Sequence, residues 1–221
     1  MLHMTTDAFP LLLAACEELA ALFPDGIAFI GGIAVYLHAV NTPATAGYAE
    51  ATHDGDFYIS MADMSDLRDI EEVTTNRRLS KHQLIKSGFE FDIYTERHSS
   101  LIVPYAEVIA HAERYGGLKV AGLEHLFALK VEAYRDRRSS TRGSKDAKDL
   151  IRIAAIANAR NAPLAASLIA PYLHDEHLEL LDGLLKRPEF AALALGNAMV
   201  AKKLRLQFAA AVTGLHKELK G

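Results

Sequence analysis

Cysteine is nearly absent. Cys16 is the only one in 221 residues, so no intrachain disulfide can form and no cysteine-based zinc site can be assembled. A reducing, cytoplasmic setting is the expectation. Long apolar runs are missing too. The longest stretches, Leu11 to Cys16 and Ala191 to Ala201, fall well short of the roughly 20 residues that span a bilayer, and Gly196 and Asn197 interrupt the second. Residues 1–7 lack the basic start of a secretory signal, so neither export nor membrane insertion is expected. There is no surplus of positive charge either. Against 28 Asp+Glu stand 24 Lys+Arg, a formal net charge of -4, which excludes a protein coated in nucleic-acid-binding surface and confines any polyanion contact to a local patch. No internal repeat or low-complexity segment is visible.

What remains is a chain that is 50% hydrophobic, enough to bury a core in one large domain or two small ones. Leu11, Leu12, Ala15, Leu19 and Leu22 recur at helical spacing and predict an amphipathic helix from Asp7 to Phe23, closed by Pro24-Asp25-Gly26. Ile27 to Ile30 reads as a buried strand, followed by Gly31-Gly32 and a helix from Ile33 to Val40. An irregular excursion over 41–51 leads to a strand at Phe57-Tyr58-Ile59 with acids at its start, then a helix from Ser65 to Glu72. Val73 to Lys86 suggests two short strands. Phe89, Phe91 and Ile93 alternate with Glu90, Asp92 and Tyr94, the period of a half-buried strand that turns Asp92 to the less apolar face. After a short helix at Pro104 to Ala112 and a turn with a brief strand over 116–122, the pattern is helical: Leu123 to Arg138, Lys145 to Ala159, Leu164 to Leu173, Asp175 to Lys186 and one long segment from Glu189 to Leu219. Residues 1–120 thus read as an α/β domain and 121–221 as an all-helical one.

The carboxylates carry the chemistry. Asp54 and Asp56 are two apart, so on a strand both side chains leave one face, with Cα atoms about 6.6 Å apart. Asp92, on a neighbouring strand, would sit about 4.7–4.9 Å across the ladder. Like charges this close repel unless cations intervene, and Mg²⁺ favours oxygen ligands shared with water and phosphate. Two such ions about 3.5–4 Å apart clamp the attacking and leaving oxygens of an in-line displacement at phosphorus. Gly31-Gly32, between strand and helix, lets backbone approach a phosphate, with free N–H donors of the helix start behind it. Each feature alone has a plain structural reading: a solvated D-x-D, a tight turn. In this order, within one α/β half, they point to phosphate chemistry.

Gly31-Gly32, then Thr52-x-Asp54-x-Asp56, then Asp92 on a later strand resembles the nucleotidyltransferase fold shared with DNA polymerase β and the antibiotic-modifying nucleotidyltransferases. Leu129-Lys130-Val131-Glu132-Ala133-Tyr134, Arg137 and Lys145-Asp146-x-x-Asp149-Leu150 downstream look like the AbiEii-type branch, which includes toxins of bacterial toxin–antitoxin and abortive-infection systems. The resemblance runs from about Ile27 to Ile153. It implies an α/β (α+β) domain with a mixed sheet, followed by a helical domain completing the active-site cleft. It also implies Mg²⁺-dependent transfer of a nucleoside monophosphate from a nucleoside triphosphate, with release of pyrophosphate. Asp54, Asp56 and Asp92 would hold two Mg²⁺ ions, Asp92 on the acceptor side. Gly31, Gly32, Thr52, Lys130 and Lys145 would bind the nucleotide, and Asp146 would be a base or orient the acceptor. The expected acceptor is an RNA end such as a tRNA, and an antitoxin protein is a possible partner. A protein hydroxyl, a small molecule, or an inactive nucleotide- or partner-binding module are the alternatives. Three features depart from the family pattern. Gly32 replaces a serine, Gly55 stands where an apolar residue usually anchors the strand and would loosen the site, and the 20 residues from Gly32 to Thr52 make a longer loop that would cover the nucleotide.

Residues 135–152 hold Arg135, Arg137, Arg138, Arg142, Lys145, Lys148 and Arg152 against Asp136, Asp146 and Asp149, a local surplus in an acidic protein. Arg135, Arg138 and Arg142 are the expected acceptor contacts, the alternative being a solvated helix face. Lys145-Asp146 could equally be a helix start capped by Ser144. His174 and His177 have zinc-like spacing but no further ligands nearby in sequence. Cys16 reads as a buried thiol, and Phe29, Phe57, Phe89 and Phe91 as core.

Overall fold

The computed structural model describes residues 8–97 and 99–220. Met1–Asp7, including the residue where the first helix is expected to begin, lie outside them. The chain forms two compact units, one of residues up to 37 with Glu50–Gly122, the other of His38–Ala49 with Leu123–Gly221. No helix among the described residues is long and apolar enough to cross a membrane.

The first unit is built on a seven-stranded sheet. Its strands are β1 (Ile27–Ile30), β2 (Asp54–Ile59), β3 (Val73–Asn76), β4 (Lys81–Lys86), β5 (Phe89–Tyr94), β6 (Glu113–Tyr115) and β7 (Leu118–Val120), in the order β3-β4-β5-β2-β1-β7-β6. The sheet is mixed: β1–β7 and β2–β5 pair parallel, all other neighbours antiparallel. The two strands expected in the poorly patterned 73–86 stretch are β3 and β4. β4 and β5 form a hairpin closed by Ser87 and Gly88, both with positive φ, the backbone twist a two-residue hairpin requires.

Alternation gives the sheet two unlike faces. Phe57, Ile59, Phe91, Ile93 and Leu84 lie on one and are buried; Asp54, Asp56, Glu90, Asp92, Gln83 and Lys81 lie on the other. Phe29, Phe57 and Phe91 pack in series, with centroids 5.7 and 6.1 Å apart. Helix α1 (Phe9–Leu22) buries Phe9, Leu12, Ala15, Cys16 and Leu19, one stripe at 3.6-residue period. Burial pushes the Cys16 thiol up to about 12, which leaves it unreactive. Helix α3 (Met61–Ile70) begins earlier than its apolar pattern suggests because Ser60 caps it, accepting from the Asp63 N–H. α4 spans Tyr105–Ala110.

Gly55 does not loosen its strand. It is paired with Phe91, and a Cβ at Gly55 would overlap the Phe91 ring. The aromatic ring fills the space that an apolar side chain on β2 would take, so the strand is anchored from across the ladder. Nor is the stretch from Gly32 to Thr52 an open loop. It is helix α2 (Gly31–Val40) and a 3₁₀ turn at Pro43–Tyr48.

The second unit is helical: α5 (Leu123–Arg137), α6 (Thr141–Ala159), α7 (Ala166–Ile169), α8 (Asp175–Leu184), α9 (Glu189–Leu193) and α10 (Ala198–Lys220). Its core includes Phe127, Ile153, Phe190 and Phe208, with Phe208 5.8 Å from Phe190. The single helix expected from Glu189 to Leu219 is two. Leu195 and Gly196 take positive φ and end α9, and the Asn197 side chain accepts from the Met199 and Val200 N–H groups to start α10. Segment 38–49 is held within this unit by α6: Arg152 donates to the Tyr48 carbonyl at 2.7 Å, and Arg160 donates to Thr42 Oγ1 at 3.0 Å.

Replacing Gly55 by Val should destabilise the protein by about 1–3 kcal/mol, the usual cost of overpacking a core. Adding Phe91→Leu should recover part of that loss. Denaturant midpoints of the three proteins check both.

Candidate active site

β1 ends at Ile30, paired with Asp56 of β2, and Asp56 is in turn paired with Asp92 of β5. This single row places the end of β1 beside two carboxylates. The chain then turns at once into α2, with Gly31 at φ 62. A Cβ on Gly31 would overlap Asp56 Oδ2, and one on Gly32 would crowd Thr52. Only glycine both takes this backbone conformation readily and lets the backbone lie this close to the Asp56 carboxylate. The glycines are therefore the first turn of the helix rather than a linker before it. Their N–H groups belong to the positive end of α2, where no intrahelical acceptor exists. Asp54, one alternation before Asp56, shares its face, and Thr52 Oγ1 donates to Asp54 Oδ1 at 2.7 Å. Thr52 thus orients a carboxylate.

Asp92 carries partners that the sequence did not reveal. Lys81 Nζ donates to Asp92 Oδ2, and Gln83 Nε2 donates to Oδ1 at 3.2 Å. Gln83 is the register partner of Asp92, and Lys81 lies two residues earlier on the same face. The signal for Lys81 was its place in a strand, which the weak period of 73–86 hid.

The downstream candidates form a charge network in the helical unit, with Lys130, Asp146, Asp149 and Arg152 buried and Arg137 exposed. Lys130 reaches Asp146 Oδ1 at 3.2 Å and Asp149 Oδ2 at 2.7 Å. Arg137 grips both oxygens of Asp146, at 2.6 and 3.1 Å, and Arg152 donates to Asp149 at 2.7 Å. Burial pushes the Asp149 carboxyl up, but Lys130 and Arg152 outweigh it and hold Asp149 below the usual carboxylate range. Lys145 is half-buried on the same helix. The helix starts at Thr141, not Lys145. Its cap is Ser140, which accepts from the Gly143 N–H at 3.2 Å, while Ser144 lies inside the helix and donates to Glu189. Of the expected acceptor contacts, Arg138 and Arg142 are exposed at the α5–α6 turn, whereas Arg135 pairs with Glu132 at 2.6 Å. His177 closes a capping box with His174 and contacts Glu132 at 2.8 Å. Burial, more than the pull of Glu132, keeps its imidazole below its ordinary pKa. That is a structural histidine.

Asp54 and Asp56 alternate on one strand with Asp92 in register beside Asp56, all oxygen donors of the kind a hard divalent cation takes; the described residues whose ligand atoms all lie within 4.8 Å of one another are Glu107, His111 and His125, not this row.

No protein-family model and no curated protein matches the sequence. Solved structures do match in fold. JHP933 from Helicobacter pylori aligns with a TM-score of 0.50 at 15% identity, over 98% of this chain and 95% of its own. A candidate nucleotidyltransferase from H. pylori aligns at 0.50 and 13% identity, over 98% of both chains. An antigenic nucleotidyltransferase-like protein from Paracoccidioides brasiliensis aligns at 0.49 and 16%, over 86% of this chain and 93% of that one. The chain has a nucleotidyltransferase-like α+β fold with a helical C-terminal region.

Asp149→Asn should cost about 3–5 kcal/mol at neutral pH, because it leaves two buried cations one acid short. A carboxyl held low stabilises the fold above its unfolded value and loses that contribution as pH falls through its folded value. The gap between wild type and variant should therefore stay constant down to about pH 5 and close only below the ordinary 3.8. Unfolding free energies across pH measure it.

Proposed function

We propose that the protein is a nucleotidyltransferase that moves a nucleoside monophosphate from a nucleoside triphosphate to an RNA end. The observation that carries the reading is the row Ile30–Asp56–Asp92, which sets a glycine helix start beside two aspartates, with Asp54 one alternation away on the same sheet face. Asp54 and Asp56 would hold Mg²⁺ together with the triphosphate, and Asp92 would face the acceptor. The bound ions would supply charge neutralisation along the displacement. The N–H groups of Gly31 and Gly32 would donate to the triphosphate, and Thr52 would keep Asp54 aimed. The acceptor hydroxyl oxygen bonds the α-phosphorus as the bond to pyrophosphate breaks, and its proton is lost on the Asp92 side. Within the helical unit Asp146 would orient Lys130 and Arg137. The downstream Lys130 and Asp146 motifs resemble AbiEii-type toxins, which supports a toxin with an antitoxin partner.

Support for an RNA acceptor is the exposed pair Arg138 and Arg142, with Lys145 and Lys148 one and two turns into α6. Labelled triphosphates incubated with the protein, Mg²⁺ and total RNA should label RNA. Label on protein alone would redirect the reading to a protein hydroxyl. Asp54→Asn and Asp56→Asn should each abolish labelling while circular dichroism is unchanged, and full activity in either would overturn the metal assignment. Exchanging Arg138 and Arg142 for Glu should weaken RNA binding and lower its salt slope by roughly 0.7–0.9 per lost phosphate contact. Triphosphate affinity, measured by calorimetry, should change much less.

A further inference from the structure

We propose that Lys81 is a resident counter-ion that holds Asp92 until a metal-bound nucleotide displaces it, so that the lysine and the divalent cation compete for one carboxylate. The inference rests on the transferase reading. Asp54, Asp56, Glu90 and Asp92 share one face of two paired strands, an arrangement that repels itself. Lys81 Nζ binds Asp92 Oδ2, while Gln83 fixes the other oxygen. The lysine side chain is 14% exposed and the Asp92 side chain 26%, so the pair is shielded but reachable from solvent.

Two features make this cation removable. Lysine is a point charge on a flexible four-carbon stem, without the planar fork by which arginine locks a carboxylate. Lys81 is also the first residue of β4, directly after Ser80, whose φ is 48, and the short 3₁₀ turn Arg77–Leu79. Its side chain can leave Asp92 without breaking a ladder interior. Gln83 is neutral and can stay in place while a metal takes the other oxygen. An ammonium and a divalent ion crowded on one carboxylate oxygen repel each other, so each lowers the affinity of the other by the same factor. Asp54, oriented by Thr52, and Asp56 would then bind the nucleotide's ion first. The triphosphate would offer Lys81 a second anion as Asp92 is released to its own role.

The test is Mn²⁺ binding to the full chain, read by electron paramagnetic resonance of the free ion, in wild type, Lys81→Met, Lys81→Gln, Lys81→Arg, Asp92→Asn and the Lys81→Met/Asp92→Asn double variant. Lys81→Met and Lys81→Gln should bind Mn²⁺ about 5- to 10-fold more tightly, the lower range for coupled ligands. Lys81→Arg should not gain affinity, and the gain should vanish on the Asp92→Asn background. Gln keeps a polar side chain and serves if Met impairs folding. Mn²⁺ bound with unchanged or weaker affinity in both neutral variants overturns the proposal, as does a gain that persists without Asp92. No Mn²⁺ binding by any form overturns the transferase reading itself, and the proposal with it.

Discussion

The register of three strands governs the site. Because Ile30 pairs with Asp56 and Asp56 with Asp92, the last residue of a fully buried strand, the start of a helix and two carboxylates fall on one line. A slip of one residue on β2 would turn Asp54 and Asp56 into the apolar face and bring Phe57 out. The register is held by burial: Phe57 and Ile59 face Phe91 and Ile93 in the core. The core thus enforces the geometry of the polar face. Gly55 shows how tightly, since the Phe91 ring occupies the volume its side chain would need.

Charge is handled in two ways in the two units. In the helical unit Asp146 and Asp149 are matched by Lys130, Arg137 and Arg152 at 2.6–3.2 Å. Each carboxylate there is spent on internal neutralisation, and loss of a member would leave an uncompensated buried charge. On the sheet, Asp54 and Asp56 lie with Glu90 and Asp92 on one face, and Lys81 meets Asp92 at one end of the row. Like charges on one face repel, and Lys81 and Thr52 each hold one member of the row.

Much of this was legible in the sequence. The strands at Ile27–Ile30 and Phe89–Tyr94 and the D-x-D placement follow from the period of 2.0, and the helices after residue 122 from the period of 3.6. The mixed order of the sheet came only with the family resemblance. What escaped the pattern was decided at a distance in the chain. Lys81 and Gln83 find Asp92 through a hairpin whose first strand has little alternation, and Gly55 is explained by a ring on another strand. Segment 38–49 is held to the helical unit by Arg152 and Arg160, more than a hundred residues later. The break in the long final helix was written in Leu195-Gly196-Asn197, where the left-handed turn and the asparagine cap outweigh the apolar period on either side.

The central claim is that the aspartate row beside the Gly31 turn binds a metal-chelated triphosphate. A crystal grown with Mn²⁺ and a nonhydrolysable nucleoside triphosphate analogue, with anomalous data collected at the manganese edge, tests it directly. The account predicts a manganese peak between Asp54 and Asp56, with phosphate oxygens on the N–H groups of Gly31 and Gly32. Manganese and nucleotide bound elsewhere on the protein, with the aspartate row empty, would contradict it.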